Sequence, residues 1–385
     1  MNCKIYTLTS ELHDETAVNK STQEFLQSLN LDYDFKGNNF DDYGTAPLSL
    51  IYVRTGGTEG IFNRLLPLLL QKSAQPFYLL TSGQSNSLAA SMEILSFLRQ
   101  RNLDGEIIHG SPEYVTRRIG ELQKVGEARK LLNGCRLGII GQPSDWLISS
   151  HTAPQVVREK VGIELVEIDM SELLETVGQD VDGGEAGAMK IYDALKQLVG
   201  RDNLQGFTLR CFDLLTAVRN TGCLALAKLN SEGIVAGCEG DVPAMLTMKI
   251  AQALTGIIGF QANPASIDVE TGQMVFAHCT IPLSLVERYE FDTHFESGIG
   301  IGIRGYMKEG PVTVFKVSGD LSRHFVSQGW LIRNEAKPDL CRTQQVICLD
   351  DPSQASYFLN RPIGNHHIIL PGHHKALIES LMGNW

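Results

Sequence analysis

Hydrophobic and polar positions alternate in two different ways along this chain, and the change of period divides it. Up to about residue 260, short apolar runs of strand character are separated by stretches of helical spacing. The runs lie at 4–9, 48–54, 77–80 and 106–109, then at 136–140, 164–168, 206–211 and 234–238. Between them, residues such as Ile61, Leu65, Leu66, Leu69 and Leu70 recur at the three- and four-residue intervals of a helix face. Segments 18–29, 88–101, 153–160, 186–198, 223–229 and 244–254 read the same way. Strands alternating with helices of this length predict parallel sheets covered on both faces. After about Gln261 the pattern becomes short β runs at 273–279, 298–303, 312–318, 329–333 and 345–348, with turn signals such as Lys308-Glu309-Gly310-Pro311 between them. This predicts a small antiparallel barrel or sandwich. The expected fold class is α/β. Two Rossmann-like parallel-sheet domains, 1–133 and 134–270, precede a β-rich domain at 271–385.

Composition narrows the function. At about 150 residues per domain, 385 residues imply two or three domains. A hydrophobic fraction of 43% against 20% charged residues supports sizeable cores. With 33 Lys+Arg against 44 Asp+Glu, the net charge of −11 argues against a nucleic-acid partner, which requires a basic face. No apolar run approaches the roughly 18 residues of a membrane span, so no membrane partner is expected. The opening MNCKIYTLTSELHDE has no apolar core of a secretion signal, and none of the eight cysteines forms a C-x-x-C pair. Together these lead to the expectation of a cytoplasmic protein with reduced thiols.

The chemistry-bearing residues fall into a few segments. In Cys238-Glu239-Gly240-Asp241 an apolar run ends in two carboxylates directly before a helix. Ligand sites of open α/β sheets lie beyond such strand ends. Asp241 alternatively reads as a simple helix cap, and Glu239 as a solvated loop residue. Further on come Asn263-Pro264-Ala265-Ser266-Ile267-Asp268, Phe276-Ala277-His278 and Gly364-Asn365-His366-His367. His278 equally suits a strand core, and His373-His374 an exposed loop. Carboxylates with imidazoles suit a divalent ion such as Mn²⁺ better than thiolate-bound zinc. The βα turn Thr55-Gly56-Gly57-Thr58 matches no nucleotide fingerprint, but its N–H groups suit an anion or a polar ligand. Thr81-Ser82-Gly83-Gln84-Ser85-Asn86-Ser87 is a second such turn, dense in hydroxyls and amides that suit a sugar. A third strand end delivers Gln142-Pro143-Ser144-Asp145-Trp146.

The ordered set of Glu239-Gly240-Asp241, Ile267-Asp268, Phe276-Ala277-His278 and Asn365-His366-His367 resembles the L-fucose isomerase and L-arabinose isomerase superfamily, most strongly from 205 to 385. The resemblance implies a Mn²⁺-dependent aldose–ketose isomerase that is a homo-oligomer with sites at subunit contacts. Carried over by position, Glu239 and Asp268 would be metal ligands and the acid/base pair. One of His366 or His367 would be a further ligand, and Asn365 would touch the sugar. His278 matches a ligand of the arabinose branch. Asp268 is fucose-like and selects His366 over His367. Gly57, Thr58, Gln84, Asn86 and Trp146 are the further expected sugar contacts. Arg304, Arg54 and Arg210 are candidate contacts of an anionic substituent, each of which also reads as a surface or domain-interface ion pair; Arg304 is the one placed among the substrate contacts. The chain is considerably shorter than the well-known members, which leaves the sugar open. Two other readings stand beside this one: a non-catalytic sugar- or sugar-phosphate-binding regulator, and another metal-assisted enediolate enzyme such as an epimerase or aldol-type lyase. A full set of ligand-type side chains speaks against the regulator, because pure binding does not need it.

Overall fold

The computed structural model describes residues 2–73, 76–179 and 181–383. The chain forms two compact units that divide between Lys130 and Leu131.

The first unit contains β1 (Cys3–Leu8), α1 (Glu15–Ser28), β2 (Asp34–Gly37), β3 (Leu48–Val53), α2 (Glu59–Lys72), β4 (Phe77–Leu80), α3 (Ser87–Gln100), β5 (Gly105–Ile108) and most of α4 (Pro112–Leu132). Its five strands are all parallel, in the order β2-β1-β3-β4-β5. Every residue of β3 and β4 is buried, as expected for central strands with helices on both faces. On one face Phe62, Leu66, Ile94 and Leu98 of α2 and α3 cover the sheet; on the other Leu26, Val115, Ile119 and Leu122 of α1 and α4 do so. The apolar stripe of α4 is hidden in the sequence among charged residues, which is why no helix was predicted there.

The second unit begins with another parallel sheet. It comprises β6 (Arg136–Ile140), α5 (Pro154–Val161), β7 (Glu164–Ile168), α6 (Met170–Val177), α7 (Glu185–Arg201), β8 (Gly206–Leu209), α8 (Cys211–Val218), α9 (Cys223–Ser231), β9 (Val235–Cys238) and α10 (Val242–Thr255). The strand order is β7-β6-β8-β9. The remainder is antiparallel: β10 (Phe260–Ile267), β11 (Gln273–His278), β12 (Val286–Asp292), β13 (Gly302–Met307), β14 (Gly310–Val317), β15 (His324–Glu335), β16 (Thr343–Leu349), α11 (Ser356–Asn360), β17 (His367–Pro371) and α12 (Lys375–Met382). Six of these strands close into a barrel in the order β10-β11-β16-β15-β14-β17, while β12 and β13 form a separate ribbon. Alternate residues fill the barrel: Phe260, Ala262, Met274, Phe276, Val314, Ile347 and Ile369 share one buried cluster. Of the two architectures the sequence allows, the sheet takes the closed one, which removes its exposed edges.

Within this unit α10 packs on β8 and β9 and also on β14 and β17 of the barrel. Two polar contacts fix the junction. The Gln261 side chain accepts from Cys238 N (2.9 Å) and donates to Cys238 O (3.3 Å), and Val317 N donates to Thr247 Oγ1 (3.1 Å). The end of β9 is therefore held against the start of β10.

The link from β9 to α10 is a sharp turn in which Glu239 (φ 64°) and Gly240 (φ 69°) are both left-handed. That conformation is strained for Glu239 and natural for glycine. A Cβ at Gly240 would lie 2.7 Å from Gln142 O and 2.8 Å from Pro143 Cα, both backbone atoms of the loop after β6. Gly240→Ala is therefore expected to destabilise the protein by more than the roughly 1 kcal/mol of a helix or strand glycine, read as a fall in melting temperature. A variant melting with the wild type would contradict this account of the turn.

Candidate metal centre

Glu239, His278 and His366 come together, each offering one ligand atom with all three atoms within 4.8 Å of one another. Three separate elements deliver them: the β9–α10 turn, the last residue of β11, and the residue before β17. Glu239 Oε1 lies 3.6 Å from His278 Nε2 and 3.5 Å from His366 Nε2. Glu239 Oε2 accepts from Trp146 Nε1 (2.8 Å), which fixes the rotation of the carboxylate. Burial disfavours the Glu239 charge, yet the two imidazoles hold its carboxyl well below the ordinary range. His278 Nδ1 meets Thr280 Oγ1 at 3.1 Å, leaving Nε2 toward the cluster.

Asp241 stands behind His366. Its Oδ1 accepts from Ala244 N (2.8 Å) and so caps α10, while its Oδ2 accepts from His366 Nδ1 (2.8 Å). Lys316 Nζ, fully buried on β14, is 3.6 Å from the same oxygen. Burial pushes the Asp241 carboxyl up, but Lys316 and His366 outweigh it and leave it at about 2. Burial works against a proton on His366, yet the Glu239 charge and the Asp241 hydrogen bond raise it to about 9. A carboxylate on Nδ1 that aims Nε2 outward is the usual support of a metal-bound imidazole. His366 Nε2 is buried and makes no hydrogen bond. One carboxylate oxygen and two imidazole nitrogens, one of them otherwise without a partner, fit a divalent cation.

The structure separates His366 from His367. Successive strand residues face opposite ways, and His367 turns into the barrel. There its Nε2 meets the Tyr357 hydroxyl (3.1 Å), its Nδ1 meets Asn365 O (3.1 Å), and its ring packs on Phe358. Burial, then the Lys316 charge, pushes it down to about 3. The metal role considered for His367 is therefore corrected: both its nitrogens are engaged away from the cluster.

Asp268 requires the larger correction. It is exposed in the turn between β10 and β11, where Oδ1 accepts from Glu270 N (2.9 Å) and Thr271 N (3.2 Å). The chain does not bring it to Glu239, because β10 runs on past the junction and bulges between Pro264 and Ser266 first. Arg304 is likewise engaged elsewhere: it donates to Asp292 (2.7 Å) within the β12–β13 ribbon. Arg210 holds the loop carrying Trp146, donating to Pro143 O (2.7 Å) and pairing with Asp145 and Asp213. His373 and His374 bond to backbone oxygens of Gly329 and Pro371 and stay outside the cluster.

Gly57, Thr58, Gln84 and Asn86 all belong to the first unit, at the carboxyl ends of its strands. Thr58 is buried and donates to Thr55 O (3.1 Å); Gln84 and Asn86 are exposed in a tight turn. In the second unit a cavity of about 520 Å³ is bounded by Trp146, Ser149, Ser150, Pro264 and Asn365. Trp146 thus joins the cavity to Glu239. Lys316 and Asn263 were not among the site residues read from the sequence. The signal for Lys316 was a lysine inside the apolar run Val312-Thr313-Val314-Phe315-Lys316-Val317.

Two measurements check this geometry. After dialysis against Mn²⁺-free buffer, His366→Ala is expected to lose bound metal that the wild type retains, while His367→Ala keeps it; loss confined to the His367 variant would reverse the assignment. The second concerns acid stability in the presence of a chelator. Because folded His367 titrates at about 3 and an unfolded histidine near 6.5, the unfolded chain binds the extra proton between those values. This contribution to stability is complete above about pH 6.5 and is lost as pH falls. The loss reaches at most about 1.4 kcal/mol per pH unit. His366 has a raised value, so it does not add to this limb. A His367→Asn variant should show a shallower fall in unfolding free energy from pH 6.5 to 4.5 than the wild type, and parallel curves would refute it.

No protein-family model matches the chain. It is 22% identical over 263 residues to a sulfoquinovose isomerase of Alkalicoccus urumqiensis, a match covering 61% of this chain and 59% of that protein. It is 24% identical over 234 residues to a sulfoquinovose isomerase of Clostridium sp. (strain MSTE9), covering 54% and 51%. A third, from Priestia aryabhattai, is 22% identical over 263 residues, covering 60% and 59%. The chain thus spans between half and three-fifths of the length of these curated relatives. Their names bear on the sugar-isomerase part of the resemblance seen in the sequence, and not on fucose or arabinose: the chain is similar to sugar isomerases.

Proposed function

We propose that the protein is an aldose–ketose isomerase that acts on a sugar at the Glu239–His278–His366 cluster, with Mn²⁺ or another divalent cation as its cofactor. The observation that carries this reading is the buried His366 Nε2, aimed by Asp241 and making no hydrogen bond, 3.5 Å from the Glu239 carboxylate and beside a second imidazole. A divalent ion held by these three side chains would supply positive charge to two neighbouring sugar oxygens and so stabilise an enediolate. The relatives named as sulfoquinovose isomerases support the reaction class.

The reaction moves the carbon proton from C2 to C1 and the hydroxyl proton from O2 to O1. Asp241 is fully buried behind His366, so Glu239 is the carboxylate of the cluster itself and the one assigned to take up the carbon proton. Its low proton affinity keeps it ionised as a base across the neutral range. Trp146 holds one of its oxygens, so the carboxylate presents a fixed face to the substrate. The indole, Ser149, Ser150 and Asn365 bound a cavity of about 520 Å³, within the range of small-molecule sites. Asn365 and Trp146 are its sugar contacts on this reading. The turns carrying Gly57, Thr58, Gln84 and Asn86 would reach a site of a neighbouring subunit in a homo-oligomer.

Glu239→Gln keeps the volume and removes the charge. Turnover of sulfoquinovose, or of whichever aldose a screen with Mn²⁺ selects, is expected to fall by about 10²–10⁴-fold, with melting temperature and circular dichroism little changed. Near-normal turnover would end the assignment of the base. For the assembly, light scattering is expected to give a multiple of 42.4 kDa; an active monomer at high dilution would remove the shared-site proposal.

A further inference from the structure

Asn263 sits on β10 in a position that the reading above leaves unused. Its strand neighbours are fixed by register: Gln261 opposes Ile368 and Ala262 opposes His367 on one side, and Asn263 opposes Ala277 on the other. Continuing the first ladder by one residue sets Asn263 across from His366. The two faces of β10 are also fixed. Phe260 and Ala262 point into the barrel core, whereas Gln261 points out and bonds to Cys238, the residue before Glu239. Strand alternation gives Asn263 the face of Gln261, which is also the face of His366, since His367 looks inward. Asn263 therefore stands between His366 and Ala277, the residue before His278, on the side where Glu239 lies. Its Oδ1 is buried and has no hydrogen-bond partner. Two buried atoms that make no hydrogen bond, Asn263 Oδ1 and His366 Nε2, thus belong to cross-strand neighbours on one face.

We infer that Asn263 Oδ1 is a fourth protein donor of the metal centre, so that one carboxylate, one uncharged amide oxygen and two imidazoles hold the cation. The inference rests on the proposed metal-dependent isomerase reading. An amide oxygen is a hard donor suited to cations of the Mn²⁺ or Mg²⁺ kind, and placing it on a barrel strand fixes it more firmly than a loop would. Its neutrality has a consequence. A divalent ion with Glu239 and two neutral imidazoles carries a net charge of one, and Asp241 behind it is balanced by Lys316. A second carboxylate at 263 would cancel that charge. The centre as built keeps it for the enediolate, and for any anionic sugar.

The test is titration of the full-length protein with Mn²⁺, followed by its electron paramagnetic resonance signal, alongside the d–d spectrum of the Co²⁺ form and steady-state turnover. Asn263→Asp is expected to bind Mn²⁺ at least tenfold more tightly and to turn over at least tenfold more slowly. Asn263→Leu is expected to bind at least tenfold more weakly, with a changed Co²⁺ spectrum and an unchanged melting temperature in chelator. Affinities and Co²⁺ spectra equal to wild type in both variants would overturn the inference while leaving the three-residue centre standing. Tighter binding in Asn263→Asp with undiminished turnover would overturn the charge argument. A wild-type protein that takes up neither metal would remove the proposed function and this inference together. Should Asn263→Leu fail to fold, Asn263→Ser, which shortens the side chain and withdraws the oxygen, serves the same comparison.

Discussion

The buried carboxylate of Asp241 is the interaction on which the site depends. One oxygen terminates α10 by accepting from Ala244 N; the other accepts from His366 and faces Lys316. Four segments of chain, the β9 turn, α10, β14 and the start of β17, are thereby tied to a single group with no solvent exposure. A charge in that position is tolerable only because it is capped, hydrogen-bonded and paired at once. Removing it would leave Lys316 and His366 without their counter-charge, a loss on the order of 3–5 kcal/mol for a broken buried pair. The same group that closes the fold around the junction therefore orients the imidazole that faces Glu239.

That arrangement explains why helix capping and a functional role were not alternatives at Asp241. A cap uses one carboxylate oxygen and leaves the other for the site. The sequence displayed the cap plainly: a β-rich run, Gly240, Asp241 and then Pro243 at the start of a helix. It could not display the second bond, whose partner lies at 366. The parallel sheets were legible as short apolar runs between helical stretches and the last third as antiparallel β structure, whereas its closure into a barrel rather than a sandwich was not, because the β10–β17 pairing that closes it joins distant segments. The segment at 263–268 was only half legible. Its residues were visible as a group of interest, but which of them shares a face with His366 depends on where β10 starts, on which face Gln261 takes, and on a bulge after Pro264. None of these has a local signature. Asp268 carries the more striking chemistry and ends in a turn; Asn263 carries less and lies beside His366. The choice between His366 and His367, by contrast, required only the parity of a strand once Ala262 was known to oppose His367.

The junction between parallel sheet and barrel brings the groups together. Glu239 comes from the carboxyl end of β9 and Trp146 from the loop after β6, as expected of a ligand site in an open α/β sheet. The two loops are locked to each other, Ser144 N donating to Glu239 O (3.0 Å), with Gly240 pressed on Gln142 and Pro143. His278 and His366 come from the rim of the barrel. Neither layer holds the cluster alone, so the Gln261–Cys238 and Thr247–Val317 contacts that clamp the layers bear on chemistry as much as on folding.

The cost of this arrangement is concentrated where it would be useful. Ser144 Oγ, Asn263 Oδ1, Lys316 Nζ and His366 Nε2 are buried side-chain atoms without hydrogen-bond partners. Each belongs to a residue that touches the Glu239 turn or Asp241, or stands across a strand from one that does. An unsatisfied buried group destabilises by about 1–3 kcal/mol. Glu239 adds the strain of a left-handed backbone. Elsewhere in the second unit Thr152 Oγ1, Glu335 Oε2, Gln345 Oε1 and Gln354 Oε1 also lack a hydrogen-bond partner, but they are scattered, whereas the first four gather around one turn. Groups held in this way need little reorganisation when a cation or a sugar oxygen meets them, which gives the folded chain a physical reason to keep them as they are.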